Sequence, residues 1–152
     1  MDFAAESRVR APAAQVWVAV RDLATYPGWF SIVDRAEPSG GAGGGDDVGG
    51  WLVDLVGRLG PLKRTKRLRM RRVIDDGDAR HVRFERDDGP GHSAWVLDGT
   101  VIADRPDDTS CLVLMQLHYG GGLFVPGADL LLRYEARNAG GRLERLLRAA
   151  SS

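Results

Sequence analysis

Residues 93–119, SAWVLDGTVIADRPDDTSCLVLMQLHY, hold two long apolar runs separated by one stretch of turn chemistry. In the first run, 93–103, Trp95, Leu97 and Val101 fall on one parity, the two-residue period of a strand with one buried face. Arg105-Pro106-Asp107-Asp108 then supplies residues that favour a turn. The second run, 110–119, is apolar on both parities, and Val113, Met115, Leu117 and Tyr119 make the better inward set. Two such strands joined by a short turn predict an antiparallel hairpin.

Upstream, the same grammar repeats. Asp87-Asp88-Gly89-Pro90-Gly91 is a turn, preceded by a strand with Val82 and Phe84 inward. Asp75-Asp76-Gly77-Asp78 is a strong hairpin signal, because Asp and Gly tolerate positive φ. Before it, a strand over about 62–74 turns at Gly60-Pro61 into another containing Trp51, Val53 and Leu55. Leu68 and Met70 face the same way as those three. Residues 39–50 are nearly all glycine with Asp46 and Asp47, too little apolar surface to offset ordering entropy, and read as a flexible loop. Nearer the start, Phe3, Ala5, Ser7 and Val9 alternate with charged neighbours as a first strand. Ala11-Pro12 ends that strand and opens a helix whose apolar face is Ala13, Val16, Trp17, Val20 and Leu23. Tyr26-Pro27-Gly28 breaks the helix, with Trp29 and Phe30 in a second short turn or helix.

Downstream, Gly120-Gly121-Gly122 closes the sheet and Pro126 marks a helix reaching about Ala150. Its apolar positions are Leu132, Ala136, Ala139, Leu143, Leu146 and Ala150, with Asp129–Arg133 and Glu144–Arg148 as i,i+4 pairs. Gly140-Gly141 costs roughly 1 kcal/mol per glycine against alanine in a helix interior, which predicts a kink or a close approach to the sheet.

The expected architecture is therefore α+β: a curved antiparallel sheet of six to seven strands wrapped around a long C-terminal helix, with two short helices after the first strand. The 152 residues fit one domain over 1–152, and an apolar share of 43% with 28% charged residues is ordinary for a globular chain. A formal net charge of +0 gives no long-range attraction to nucleic acid or anionic lipid. Cys111 is the single cysteine, so neither an internal disulfide nor a thiol metal cluster is expected, which fits a reducing compartment. Residues 1–10 lack the apolar core of a signal peptide, and runs such as 111–115 are too short for stable membrane insertion. The expected location is the cytoplasm.

The order strand, two short helices, meander and long C-terminal helix resembles the START-like SRPBCC superfamily, in its polyketide cyclase/dehydrase and lipid-transport-like branch. The likeness is carried by Arg10-Ala11-Pro12-Ala13-Ala14-Gln15-Val16-Trp17 and Asp22-Leu23-Ala24-Thr25-Tyr26-Pro27-Gly28-Trp29. The stretch Gly60-Pro61-Leu62-Lys63-Arg64-Thr65-Lys66-Arg67 and the strand end His118-Tyr119-Gly120-Gly121 add to it. It spans essentially the whole chain, but these motifs mark a fold and not a chemistry. The resemblance implies a helix-grip fold with a cavity between sheet and helix. Members that cyclise or aromatise polyketides place polar groups in that cavity, and transport members keep it apolar.

On this reading the expected ligand is an apolar small molecule: a lipid, a polyketide or an aromatic metabolite. Its candidate wall is Trp51, Val53, Leu55, Leu68, Met70, Phe84, Trp95, Leu97, Met115, Leu117 and Tyr119 on the sheet, with Trp29 and Phe30 capping one end and Phe124 and Leu131 the other. Several rings and a methionine on one concave surface are a usual lining for apolar ligands, although each residue taken singly also serves as core filler. Tyr119 and Tyr134 are the polar tips that would orient a carbonyl or hydroxyl. No catalytic residue, cofactor or metal is assigned. A cyclase, aromatase or dehydratase is the alternative; it needs polar side chains converging in the pocket, and the sequence supplies few beyond Tyr119, Tyr134 and, if the register shifts by one residue, His118, which this face assignment puts outward.

The basic run 63–72 is the remaining signal. Arg67, Arg69 and Arg71 share the face opposite Leu68 and Met70, with Glu85 and Asp87 on the outer face of the next strand to pair with them. No aromatic platform interleaves, so no nucleic-acid partner is expected, and an interaction module built on this strand is the last alternative. Asp54 reads as surface. His81, His92 and His118 lack metal-ligand spacing. An exposed edge strand offers a surface for a homodimer, but the oligomeric state is not specified.

Overall fold

The computed structural model describes residues 2–39, 49–59, 62–89, 91–104, 109–120 and 128–151, with side chains described for all of these except residues 3, 57–59, 62–64, 128–137 and 151. The strands are β1 (Asp2–Val9), β2 (Val33–Pro38), β3 (Gly50–Leu59), β4 (Leu62–Asp76), β5 (His81–Arg86), β6 (Trp95–Ala103) and β7 (Cys111–Tyr119). Helix α1 (Ala13–Val20) and a 3-10 helix (Leu23–Gly28) follow β1, and α2 (Ala128–Ser151) ends the chain. The strands form one antiparallel sheet in the order β1-β7-β6-β5-β4-β3-β2. From β2 to β7 every neighbour in sequence is a neighbour in space, as tight turns require. Only β1 is placed non-locally, paired with β7 from Asp2↔His118 to Val9↔Cys111. The sheet curls into a half barrel that grips α2, a helix-grip fold. Bulges between Val33 and Arg35 and between Arg72 and Ile74 add local twist.

The meander follows the expected boundaries closely, and β2 is its addition. That strand reads as polar, with a buried Val33 and exposed or half-buried residues after it, because it lies at the sheet edge and ends in Pro38. The helical expectations shift slightly. Pro12 is the N-cap of α1 in extended conformation, its carbonyl accepting from the Gln15 and Val16 amides at 3.0 and 3.1 Å. The second helical piece contains Tyr26-Pro27-Gly28 and does not follow it, and Asp22 caps it by accepting from the Ala24 amide at 3.0 Å. In the β4–β5 turn the positive φ belongs to Arg80 (50°) and not to the Asp-Gly pair. Asp76 shapes that turn instead, its carboxylate accepting from the amides of Asp78 and Ala79 at 3.1 Å each.

Two glycines set how closely the helices approach the sheet. A Cβ on Gly99 of β6 would lie 2.8 Å from Val20 Cγ1, so α1 crosses the sheet where β6 has no side chain. A Cβ on Gly140 of α2 would overlap the Ser7 hydroxyl and lie 3.1 Å from the Arg8 carbonyl oxygen. This is the close approach that Gly140-Gly141 predicted. Ala139 and Leu143 are buried beside it and Leu146 half-buried, whereas Ala150, expected on the apolar face, is exposed because it lies near the end of α2. Leu132 and Ala136 lie where side chains are not described, and the expected glycine loop at 40–48 and helix start at Pro126 lie outside the described residues.

Candidate functional site

The concave face of the sheet is built by strand parity. On β7, Cys111, Val113, Met115, Leu117 and Tyr119 are buried while Gln116 and His118 are exposed. On β6 the buried parity is Trp95, Leu97, Gly99 and Val101, and on β5 it is Val82 and Phe84. Register joins these sets across the sheet: Trp95↔Tyr119, Leu97↔Leu117 and Phe84↔Leu97. On β3 and β4, Trp51↔Met70 and Val53↔Leu68 extend the wall. All thirteen candidate residues whose side chains are described are thus buried on the inside: Trp29, Phe30, Trp51, Val53, Leu55, Leu68, Met70, Phe84, Trp95, Leu97, Met115, Leu117 and Tyr119. Phe124 lies outside the described residues, and Leu131 and Tyr134 lie in the part of α2 without described side chains.

These residues do not share one space. A central hollow of about 20 Å³ is lined by Phe30, Val53, Leu55, Leu68, Met70, Trp95, Leu97 and Leu117 from the candidate set, and by Leu23, Ile32 and Val33 besides. The last three were missed. Leu23 reads from the sequence as part of the apolar helix face, and Ile32-Val33 is an apolar pair that without β2 has no place on the wall. Trp29 and Met115 border a second hollow of about 10 Å³ between β1, β7 and α2. Trp51 and Phe84 line neither hollow; their rings meet edge to face at 5.5 Å, and Phe84 also meets Tyr26 at 6.0 Å. Tyr119 stacks on Trp95 with centroids 5.0 Å apart and planes 18° apart. Tyr26 is fully buried, donates its hydroxyl to the Val20 carbonyl at 2.7 Å, and has its pKa pushed up by that burial.

Among the described residues two arginines share the inward parity: Arg86, opposite Met70 in register, its side chain 8% exposed and its Nε donating to Asp88 Oδ2 at 2.6 Å, and Arg72. Arg72 has the parity of Leu68 and Met70, and its guanidinium lies 5.4 Å from the Trp51 ring centroid. Its Nη1 donates to the Arg21 carbonyl at 2.7 Å, and its Nε lies 3.7 Å from Asp75 Oδ2. Arg21 Nε in turn donates to Asp75 Oδ1 at 3.1 Å. The Arg21 hydrogen bond holds the Asp75 carboxyl below its ordinary range, against a smaller opposing effect of burial. The two-residue period alone would have found Arg72; its contact with Arg21 at the end of α1 it would not.

The histidines belong to the other face or the turns. His118 Nδ1 lies 2.6 Å from Asp2 Oδ1 on the outer side, so it faces solvent and not the wall. His81 Nε2 lies 2.7 Å from Asp98, which also accepts from Arg83 Nε at 2.9 Å. His92 Nδ1 lies 3.2 Å from Arg86 Nη2. The basic strand pairs differently from expectation. Arg67 engages Asp54 on β3 through Nε and Nη2 at 2.8 and 3.2 Å, and Asp54 is only 8% exposed, not open surface. Glu85 stands opposite Arg71 in register, while Asp87 gives its backbone amide to the Arg69 carbonyl at 2.8 Å. Among the described residues no group of three or more His, Cys, Asp or Glu side chains could hold a metal ion, and no helix is long and apolar enough to cross a membrane.

Residues 1–150 match the family described as polyketide cyclase / dehydrase and lipid transport. The chain belongs to that family. No curated protein matches it. Among solved structures, the polyketide cyclase/dehydrase and lipid transport chain is similar to a START superfamily protein from Mycobacterium smegmatis, at 16% identity and a TM-score of 0.68, covering 95% of this chain and 98% of that one. XoxI from Bacillus cereus is similar at 9% identity and a TM-score of 0.65, with 99% and 98% covered. BexL, the di-domain ARO/CYC of the BE-7585A biosynthetic pathway, is similar at 16% identity and a TM-score of 0.62, covering 100% of this chain and 48% of BexL. At these identities the structural likenesses establish the fold alone.

Proposed function

We propose that this protein binds an apolar small molecule, a lipid, polyketide or aromatic metabolite, between the concave face of its sheet and α2, and performs no chemistry on it. The observation that carries the reading is the central hollow, whose eleven described lining residues are all hydrophobic and come from the 3-10 helix, the segment after it, and five strands. Binding of a drug-sized molecule takes a few hundred Å³. An occupant therefore enters by parting side chains around the hollow of about 20 Å³, and Met70, unbranched and adaptable, is suited to yield. Membership of the polyketide cyclase/dehydrase and lipid transport family supports the same class of ligand.

The catalytic alternative needs polar side chains converging on the ligand. His118 stands on the outer face with Asp2, and the Tyr119 ring is committed to a stack on Trp95, so binding without catalysis is the better reading. The interaction-module alternative loses Arg67 as a free charge, since Asp54 takes it up. Native mass spectrometry of freshly purified protein, with tryptophan-fluorescence titration by tetralin, tests the proposal. A co-purifying small molecule or saturable quenching is expected. Bare protein together with no tetralin uptake overturns it.

A further inference from the structure

Trp51 is 1% exposed, yet its indole N–H finds no hydrogen-bond partner among the described residues. Two other ring donors of the same core are satisfied. Trp29 Nε1 donates to Thr25 Oγ1 at 3.2 Å, and the Tyr26 hydroxyl donates to the Val20 carbonyl at 2.7 Å. A buried donor without an acceptor bears the full cost of its desolvation, and such exceptions in a folded core call for an explanation. Trp51 is placed where a ligand would supply one. It faces inward on β3, opposite Met70 and two residues before Val53, and both of those line the central hollow. Its ring is held on two sides, by Phe84 edge to face at 5.5 Å and by the Arg72 guanidinium at 5.4 Å from the centroid. The direction of the N–H is therefore set by packing and not by a hydrogen bond.

We propose that Trp51 Nε1 is the donor that takes an acceptor oxygen, a carbonyl or hydroxyl, carried by the apolar ligand, so that the site selects oxygenated molecules over pure hydrocarbons. This rests on the ligand-binding reading above. A hollow of about 20 Å³ obliges any occupant to displace side chains around it, and Met70, one of them, stands opposite Trp51 in register. A hydrocarbon would fill the space and leave the N–H unmatched; an oxygenated analogue of the same shape would satisfy it.

The experiment compares tetralin with 1-tetralone, which differ by one carbonyl, using protein with 15N-labelled indole nitrogens. The Trp51 signal is assigned by its loss in Trp51→Phe. The expected result is 1-tetralone binding about tenfold more tightly than tetralin, with a downfield shift of the Trp51 indole proton on tetralone alone. Partition from water alone favours tetralin, so the predicted order runs against simple hydrophobicity. In Trp51→Phe the preference should vanish while tetralin still binds. Should the variant fail to fold, the wild-type affinity order and indole shift decide the matter unaided. Tetralin binding as tightly as tetralone, or an unmoved Trp51 proton with tetralone bound, overturns this inference and leaves the ligand-binding reading standing. Uptake of neither probe overturns this inference, and if native mass spectrometry also shows bare protein it overturns the ligand-binding reading as well.

Discussion

Gly140 of α2 sits directly against Ser7 of β1, so closely that a methyl group in place of its hydrogen would overlap the serine hydroxyl. Around its neighbour Gly141, no atom of the described residues outside its own stretch of helix lies within 4 Å of the corresponding position. Two adjacent glycines in one helix thus have opposite roles. Gly140→Ala should lower stability by about 1–3 kcal/mol through overpacking. Gly141→Ala should raise it by up to about 1 kcal/mol, the helix-propensity gain of alanine. Urea denaturation of both variants checks this, and two changes of the same sign would show that α2 does not rest on β1 through Gly140.

The contact of α1 with β6 is open to a cycle of the same kind. Gly99→Ala should destabilise by about 1–3 kcal/mol, because the new methyl meets Val20 Cγ1 at 2.8 Å. Val20→Ala removes that atom, so the double variant should be more stable than the sum of the single losses predicts. Strict additivity by thermal denaturation would mean that the two residues do not touch.

Phe84 touches both Trp51 and Tyr26 and has no exposed surface. Truncation to alanine should cost about 3–5 kcal/mol and leave a cavity on the inner wall. Tetralin should then bind more tightly to Phe84→Ala than to the wild type, and calorimetric titration measures the difference. A variant that loses stability yet takes up tetralin more weakly would show the inner wall collapsing instead.

The Arg21–Asp75 pair makes a pH prediction. The Asp75 carboxyl is held below 3.8, its ordinary value, by the hydrogen bond from Arg21 in the folded state. A depressed folded pKa means that protons bind the unfolded chain more readily, so the pair's contribution is whole above the unfolded value and fades as pH falls through the lower folded one. Asp75→Asn should be less stable than wild type at pH 7, by about 0.2–1 kcal/mol since the pair is partly exposed, and the gap should close as pH falls from 3.8 through the lower folded value. Urea midpoints across that range measure it, and a constant gap at every pH would exclude the carboxylate as the cause.

Much of the site could be read without coordinates because parity is a local property. The placement of Trp95, Leu97, Met115 and Leu117 inside, and of His118 outside, needs only alternate Cβ directions along a strand. The same argument puts Arg72 on the inner side, an implication of its spacing from Met70 that the charged run around it obscured. β2 was beyond such reasoning. An edge strand that exposes most of its length carries no alternation to detect, and with β2 went the place of Ile32 and Val33 on the wall.

The chain's own pattern determined the meander, the amphipathic faces of α1 and α2, the neutral charge balance and the inward set of large apolar residues. The tertiary structure decided which of those residues meet. Curling of the sheet and the reach of α2 at Gly140 divide the interior between one hollow at Phe30 and Met70 and another at Trp29 and Met115, and leave the Trp51 N–H without an acceptor among the described residues. Periodicity specifies the direction in which a side chain points. The distance between two elements follows from how all their side chains pack together, which no single segment contains.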